Sequence, residues 1–165
     1  MKPNFTQKVT NWGNFPVVEK EIKSEDTLQK IKDFVQNNNE IIARGNGRCY
    51  GDASLSEHIF STKRLNKLIS FDRLNGIIEC ESGVLLSEIL EVIVQQGYFL
   101  YVTPGTKFIS VGGAIASDVH GKNHHLEGCF SEYVLEFSLL NEKNEVITCS
   151  RTQNSDKFWS TIGGM

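Results

Sequence analysis

The chain has 165 residues, of which 39% are hydrophobic and 22% charged, with a formal net charge of −3. That length supports one domain with a core or two small subdomains. The acidic balance gives no footprint for nucleic acid, and no apolar run approaches the ~20 residues that span a bilayer.

Met1 to Lys8 has no apolar h-region, so a secretory signal is not expected. Cys49, Cys80, Cys129 and Cys149 form no C-x-x-C pair, which argues against a zinc knuckle. Four reduced thiols in a cytoplasmic protein are expected, with Cys80 and Cys149 as small apolar residues in strands.

Asn11 to Pro16 is rich in turn formers, and Trp12 is expected to anchor packing rather than touch a ligand. Val17–Ile22 reads as a short strand. Ser24–Thr27 offers an N-cap. Leu28, Ile31, Phe34 and Val35 then recur at helical spacing, which predicts an amphipathic helix to about Asn37. Glu40–Ala43 is a second strand. Strand, helix and strand in this order suggest a right-handed βαβ unit with parallel strands.

The second strand feeds a glycine-rich loop: Ala43, Arg44, Gly45, Asn46, Gly47, Arg48, Cys49, Tyr50, Gly51, Asp52 and Ala53. Successive N–H groups in such turns form concave anion sites. Arg44 and Arg48 supply charge, for a phosphate or for bracing the loop.

Ile59–Thr62 reads as a strand, and Leu65–Ile69 is a further apolar run. Ile77–Cys80 is a strand after the turn at Leu74–Gly76, and Glu81–Gly83 is a turn. Leu85–Gln96 predicts a helix, with Leu86, Ile89, Leu90 and Ile93 on one face and Gly97 at its C-terminal end. Tyr98–Val102 is extended, and Pro104-Gly105 turns the chain. Tyr133–Leu140 and Glu145–Cys149 read as strands joined at Asn141–Asn144. Asp156–Ser160 is a helical turn. The Gly163-Gly164 pair beside the last residue suggests a longer protein.

The least ordinary stretch is Ser110 to His125, starting as a short helix over Val111–Ser117. It runs from Gly112-Gly113 through small residues to Asp118, Val119, His120, Gly121, Lys122, Asn123, His124 and His125. Small residues let a backbone approach a flat or anionic ligand, while Lys122 and the imidazoles bring charge near neutral pH. Two glycine loops with Pro104-Gly105-Thr106 between them suggest one extended ligand with a pyrophosphate and a ring. A zinc site on His120, His124 and His125 is not expected. Gly121 and Asn123 are poor helix-interior residues, and no acidic or Cys partner stands at ligand spacing. Cys49 and Cys129 have no base paired with them in the sequence.

These motifs resemble the flavin-binding half of oxidoreductases with the vanillyl-alcohol-oxidase, or p-cresol methylhydroxylase (PCMH), fold. Within that superfamily the sequence is most similar to the decaprenylphosphoryl-β-D-ribose 2′-oxidase family. The resemblance runs through Asn11-Trp12-Gly13, the loop from Ala43 to Asp52, Pro104 to Thr106, Val111 to Ala116, Asp118 to His125 and Phe158-Trp159 through Gly164. The string from His120 to His125 is its specific part.

The resemblance implies an α+β FAD-binding domain. A parallel-sheet subdomain would span about residues 10–75 and an incomplete mixed or antiparallel one residues 76–165, with FAD between them. The substrate domain would lie beyond. Ala43–Ala53 would wrap the pyrophosphate. Gly105, Ser110, Val111, Gly112, Gly113, Ser117, Asp118, Val119 and His120 would line the cofactor. His120 and Lys122 would serve at the flavin and substrate, where a cation favours hydride acceptance. Covalently flavinylated relatives often carry Gly-x-Gly-His-Ser in the first loop. Here Arg48-Cys49 takes the last two places, so non-covalent FAD is expected.

The implied chemistry is oxidation of a sugar hydroxyl to a ketone on a polyprenyl-phosphate-linked pentose, a cell-wall polysaccharide precursor. A partner reductase and peripheral membrane contact through the lipid-linked substrate are compatible with it. A non-catalytic FAD-binding remnant and an aldonolactone- or alditol-type sugar oxidase are the alternatives.

Overall fold

A computed structural model describes residues 6–164. The elements are β1 (Gln7–Val9), β2 (Val18–Lys20), β3 (Ile22–Lys23), α1 (Leu28–Gln36), β4 (Ile41–Arg44) and β5 (His58–Ser61) in the first part. Then come β6 (Leu68–Asp72), β7 (Ile77–Cys80), α2 (Leu86–Ile93), α3 (Val111–Ala116), α4 (His124–Glu127), β8 (Glu136–Leu140), β9 (Val146–Ser150) and α5 (Ser155–Thr161).

The parallel sheet has the order β3-β5-β4, with Ile59 opposite both Ile22 and Ile42. The two strands that flank α1 are therefore parallel but not neighbours, because β5 slots between them. Ile59 and Phe60 are buried there, and Phe34 of α1 packs on Phe60 with ring centroids 5.3 Å apart.

The strand expected over Val17–Ile22 is split. Val18–Lys20 pairs antiparallel with β1, whereas Ile22–Lys23 joins the parallel sheet. Local alternation cannot specify that division, because both halves have strand-like patterning and only the partner differs.

Three antiparallel pairs complete the strands: β1-β2, β6-β7 and β8-β9. The boundary expected between residues 75 and 76 falls inside the β6-β7 hairpin. Leu68 and Phe71 of β6 pack with Ile78 and Cys80 of β7 against the core of α2, so the hairpin belongs whole to the second unit. The strand expected from Tyr133 starts only at Glu136, because Phe130–Tyr133 forms a 3-10 turn.

Two cores hold the second unit. The first is Val84, Leu86, Ile89 and Ile93, each at most 4% exposed. Burying each such side chain contributes about 1.5–3 kcal/mol. Helix α2 continues as a 3-10 turn over Val94–Gln96 and ends on Gly97, whose φ of +84° is the left-handed stop that glycine permits. The second core is Val134, Cys149, Phe158 and Ile162. Val111 packs on the first core and Ile115 on the second. The helix of the second glycine loop is thus wedged between both cores. Burial pushes the Cys80 thiol up to about 11, which keeps it protonated as an ordinary core residue.

Candidate functional site

The two glycine loops meet. A Cβ at Gly45 would lie 2.1 Å from Ser110 Oγ and 3.0 Å from Ser110 Cβ, so only glycine permits this approach. Ser110 is 3% exposed and caps α3, its Oγ accepting from Gly113 N–H at 3.3 Å. Beside this contact, Asn46 Nδ2 donates to the Phe108 carbonyl at 2.8 Å. The join links the end of the parallel sheet to the two-core unit.

The first loop borders an open groove of about 770 Å³ lined by Thr10, Asn11, Trp12, Gly13, Asn14, Arg44, Asn46, Gly47, Arg48 and Lys63. Three of these residues are cationic and none carries a carboxylate. Among the described residues, the N–H groups of Asn46, Gly47 and Arg48 have no backbone or side-chain acceptor. Gly47 has φ +64° within this run. Unpaired consecutive amides with cations around them match the charge and shape of a pyrophosphate.

Arg44 braces the loop. Its Nη1 donates to Asn11 Oδ1 and, at 2.7 Å, to Ser54 Oγ; its Nη2 donates to the Thr10 carbonyl at 2.7 Å. Asn11 is 2% exposed and its Nδ2 donates to the Gly51 carbonyl at 3.0 Å. The guanidinium is half-buried, and that burial lowers its pKa. Arg48 is exposed. Cys49 Sγ contacts Ser54 Oγ at 3.3 Å. Gly51 lies at φ +54°, with Tyr50 and Asp52 exposed and Ala53 half-buried.

Trp12 is not a buried anchor. It is 56% exposed, lines the groove and meets Tyr50 edge-on with centroids 5.5 Å apart. Its N–H is held by the Cys49 carbonyl at 3.1 Å, so it is tied to the loop through its backbone while its ring stays in solvent.

In the second loop the amides serve the protein itself. Val111 N–H donates to the Val84 carbonyl and Gly112 N–H to the Ser82 carbonyl, both at 2.8 Å. Gly112 sits so close to Ser82 that a Cβ would lie 3.1 Å from its carbonyl oxygen. Gly113 and Ser117 are exposed, and so is Gly105, where a Cβ would meet nothing.

Asp118 adopts φ +41°. Its carboxylate accepts from Ser131 N–H at 2.9 Å and Ser131 Oγ at 3.2 Å. Ser131's carbonyl in turn accepts from Arg151 Nη2 at 2.8 Å. A Cβ at Gly163 would be 3.5 Å from that of Asp118, so Gly163, just after α5, rests on this loop. Val119 N–H donates to the Ala114 carbonyl at 3.1 Å, and His120 forms a bridge with Cys129. His120 and Lys122 are both exposed. His124 and His125 begin α4; His124 Nδ1 lies 3.2 Å from the Gly121 carbonyl, and its ring is 5.4 Å from that of His120.

Sequence reasoning did not assign Thr10, Asn11, Ser54 or Lys63 to the site. Asn11 carried a signal, since it opens the Asn11-Trp12-Gly13 motif. Lys63 carried none, because only the fold brings it to the groove.

The model of the FAD binding domain family matches residues 18–150. The chain belongs to this family of PCMH-type FAD-binding domains. It is 32% identical over 98% of its length to a decaprenylphosphoryl-β-D-ribose oxidase of Mycolicibacterium smegmatis, covering 37% of that protein. It is 24% identical over 92% of its length to an L-gulonolactone oxidase of Scyliorhinus torazame, covering 36% of that one. Among solved structures it resembles an alkyldihydroxyacetonephosphate synthase in fold, with TM-score 0.70 and 18% identity over 88% of the chain and 29% of that structure. The chain thus spans about a third of the length of these proteins. The glycine join, the unpaired amides and the carboxylate-free groove fit an FAD pyrophosphate.

Proposed function

We propose that this chain is the flavin-binding part of an oxidoreductase that oxidises a sugar hydroxyl to a ketone, with a polyprenyl-phosphate-linked pentose as the substrate class. The observation that carries this reading is the 32% identity to a decaprenylphosphoryl-β-D-ribose oxidase across 98% of the chain. The His120–His125 string lies within that span. Bound FAD supplies the hydride acceptor. In this reading Asn46, Gly47 and Arg48 hold its pyrophosphate. The join at Gly45 and Ser110 keeps the two walls of the site together. Lys122 brings a cation to the reacting end, where it favours charge that builds up during reduction, and His120 lies beside it. Four unpaired thiols suit a cytoplasmic setting. A partner reductase and contact with a membrane through the lipid-linked substrate are consistent with this chemistry.

The test is anaerobic mixing of the FAD-loaded protein, carried to the relatives' length, with a polyprenyl-phosphoryl pentose. Bleaching of the flavin band by this substrate, and not by aldonolactones or alditols, is the expected result. Matches of 24% to an L-gulonolactone oxidase and 20% to a D-arabinono-1,4-lactone oxidase define the competing reading. Preferential bleaching by a lactone would replace the proposal with it.

The Arg48-Cys49 pair further implies non-covalent attachment. Acid precipitation of the yellow protein should leave the flavin in the supernatant; a yellow pellet would refute this.

A further inference from the structure

The segment that carries Lys122 is held at Gly121, Asn123 and Glu127, and the last two of these points lead to Tyr101. At its start, Gly121 is buried so closely that a Cβ would lie 2.9 Å from the Thr103 carbonyl oxygen. One residue after Lys122, Asn123 Nδ2 donates to the Tyr101 carbonyl at 2.9 Å. At the far end, the Tyr133 hydroxyl donates to Glu127 Oε2 at 2.6 Å. The Tyr133 ring lies flat on that of Tyr101, with centroids 4.3 Å apart and planes at 6°.

Neither ring belongs to a core cluster, and they are 63% and 39% exposed. Stacking of exposed aromatic rings stabilises the fold little, yet it orders two side chains at an entropic cost. The structural consequence of this pair is to tie Glu127 and Asn123 to one point. The hydrogen bond to Glu127 pushes the Tyr133 phenol up to about 12, so the hydroxyl stays a donor throughout the working pH range.

We propose that Tyr101 and Tyr133, acting through Asn123 and Glu127, are positioning residues that hold Lys122 at the reacting end of the site. This rests on the role given to Lys122 above. The stacked rings act as a brace. One edge takes the Asn123 amide through the backbone, and the other takes Glu127 through the phenol. Lys122 directly precedes the first of these attachments and follows the buried Gly121.

Limited trypsin digestion reads the brace directly, because Lys122-Asn123 is itself a cleavage site. Lys143-Asn144, in the exposed β8-β9 turn, is an internal control of the same sequence. Tyr133→Phe keeps the stack and removes the hydroxyl. Losing this hydrogen bond should raise cleavage at Lys122 roughly threefold to tenfold, with cleavage at Lys143 unchanged. Tyr133→Ala should raise it further. Glu127→Gln retains an acceptor oxygen and should stay close to the parent. In the FAD-loaded protein at the relatives' length, Tyr133→Phe should slow flavin reduction in the parent background and have no additional effect beside Lys122→Ala.

Unchanged cleavage at Lys122 in both Tyr133 variants would overturn the brace. Equal slowing by Tyr133→Phe with and without Lys122 would show that it acts by another route and overturn the proposal too. If Lys122→Ala alone leaves reduction unchanged, the role given to that lysine fails, and the purpose of the brace falls with it. Raised cleavage at Lys122 would then still separate that failure from failure of the brace.

Discussion

Gly45→Ala is expected to weaken FAD binding while leaving both parts of the chain, the parallel sheet and the two-core unit, folded. The new methyl would stand 2.1 Å from Ser110 Oγ and 3.0 Å from Ser110 Cβ. Ser110 has no room to yield: it is 3% exposed, and its hydroxyl caps Gly113. The backbones must therefore part, which costs on the order of 1–3 kcal/mol. That opening would break the bond from Asn46 to Phe108 and misplace the unpaired amides of Asn46 to Arg48. FAD affinity should fall by roughly tenfold or more if the strain is released on opening. Isothermal titration with FAD, alongside thermal unfolding, checks this. Parent-like affinity would show that the two loops need not touch for the cofactor to bind. Ser110→Gly in the Gly45→Ala background removes the clashing side chain and should restore part of the affinity.

Phe158→Ala is expected to be the most destabilising single truncation in the second core, by about 3–5 kcal/mol. Phe158 is 0% exposed. Its ring stacks on Phe137 of β8 at 5.3 Å and 16°, and meets Trp159 edge-on at 5.1 Å. Arg151 covers the Phe158 ring at 5.9 Å and the Trp159 ring at 4.9 Å. The vacated space lies between β8, β9 and α5, and α5 has only seven residues with which to relax. The loss should reach the site, because Arg151 also holds Ser131, which holds Asp118. Urea unfolding measures the stability term. Phe158→Leu should recover much of it by refilling the volume; a cost below ~1 kcal/mol for Phe158→Ala would mean that α5 does not anchor this core.

How much of this was legible beforehand depended on the range of the interaction involved. The α2 face of Leu86, Ile89 and Ile93 was visible from spacing, and its Gly97 stop from chemistry, because both operate within one or two turns. The Asn141–Asn144 turn was visible for the same reason: Asn141 Oδ1 accepts from the N–H groups of Lys143 and Glu145, and Asn144 adopts φ +63°. The glycine loops were recognisable as composition, and the string from His120 to His125 as a family signature.

Other features have no local signal. Arg44 is charged and follows a strand, which suits a phosphate ligand as well as a brace. Its bonds to Thr10, Asn11 and Ser54 arise because β4 ends beside the turn over Asn11–Asn14. Trp12 has the residue type of a core anchor, yet Asn11 takes the buried place and leaves the indole in the groove. The division of Val17–Ile22 between two sheets reflects which strands are available to pair, not the residues' own preference.

The helical faces and the two glycine loops are written in residue types at short spacing, and the motifs carry the family resemblance that implies the α+β class. Tertiary packing alone brings Gly45 against Ser110, Lys63 to the groove and the Tyr101 ring onto that of Tyr133. Those contacts join residues 65 positions apart in the first case, 110 − 45, and 32 in the stacked pair, 133 − 101. Steric fit and hydrogen bonding across such separations exist only once the cores have brought the segments together.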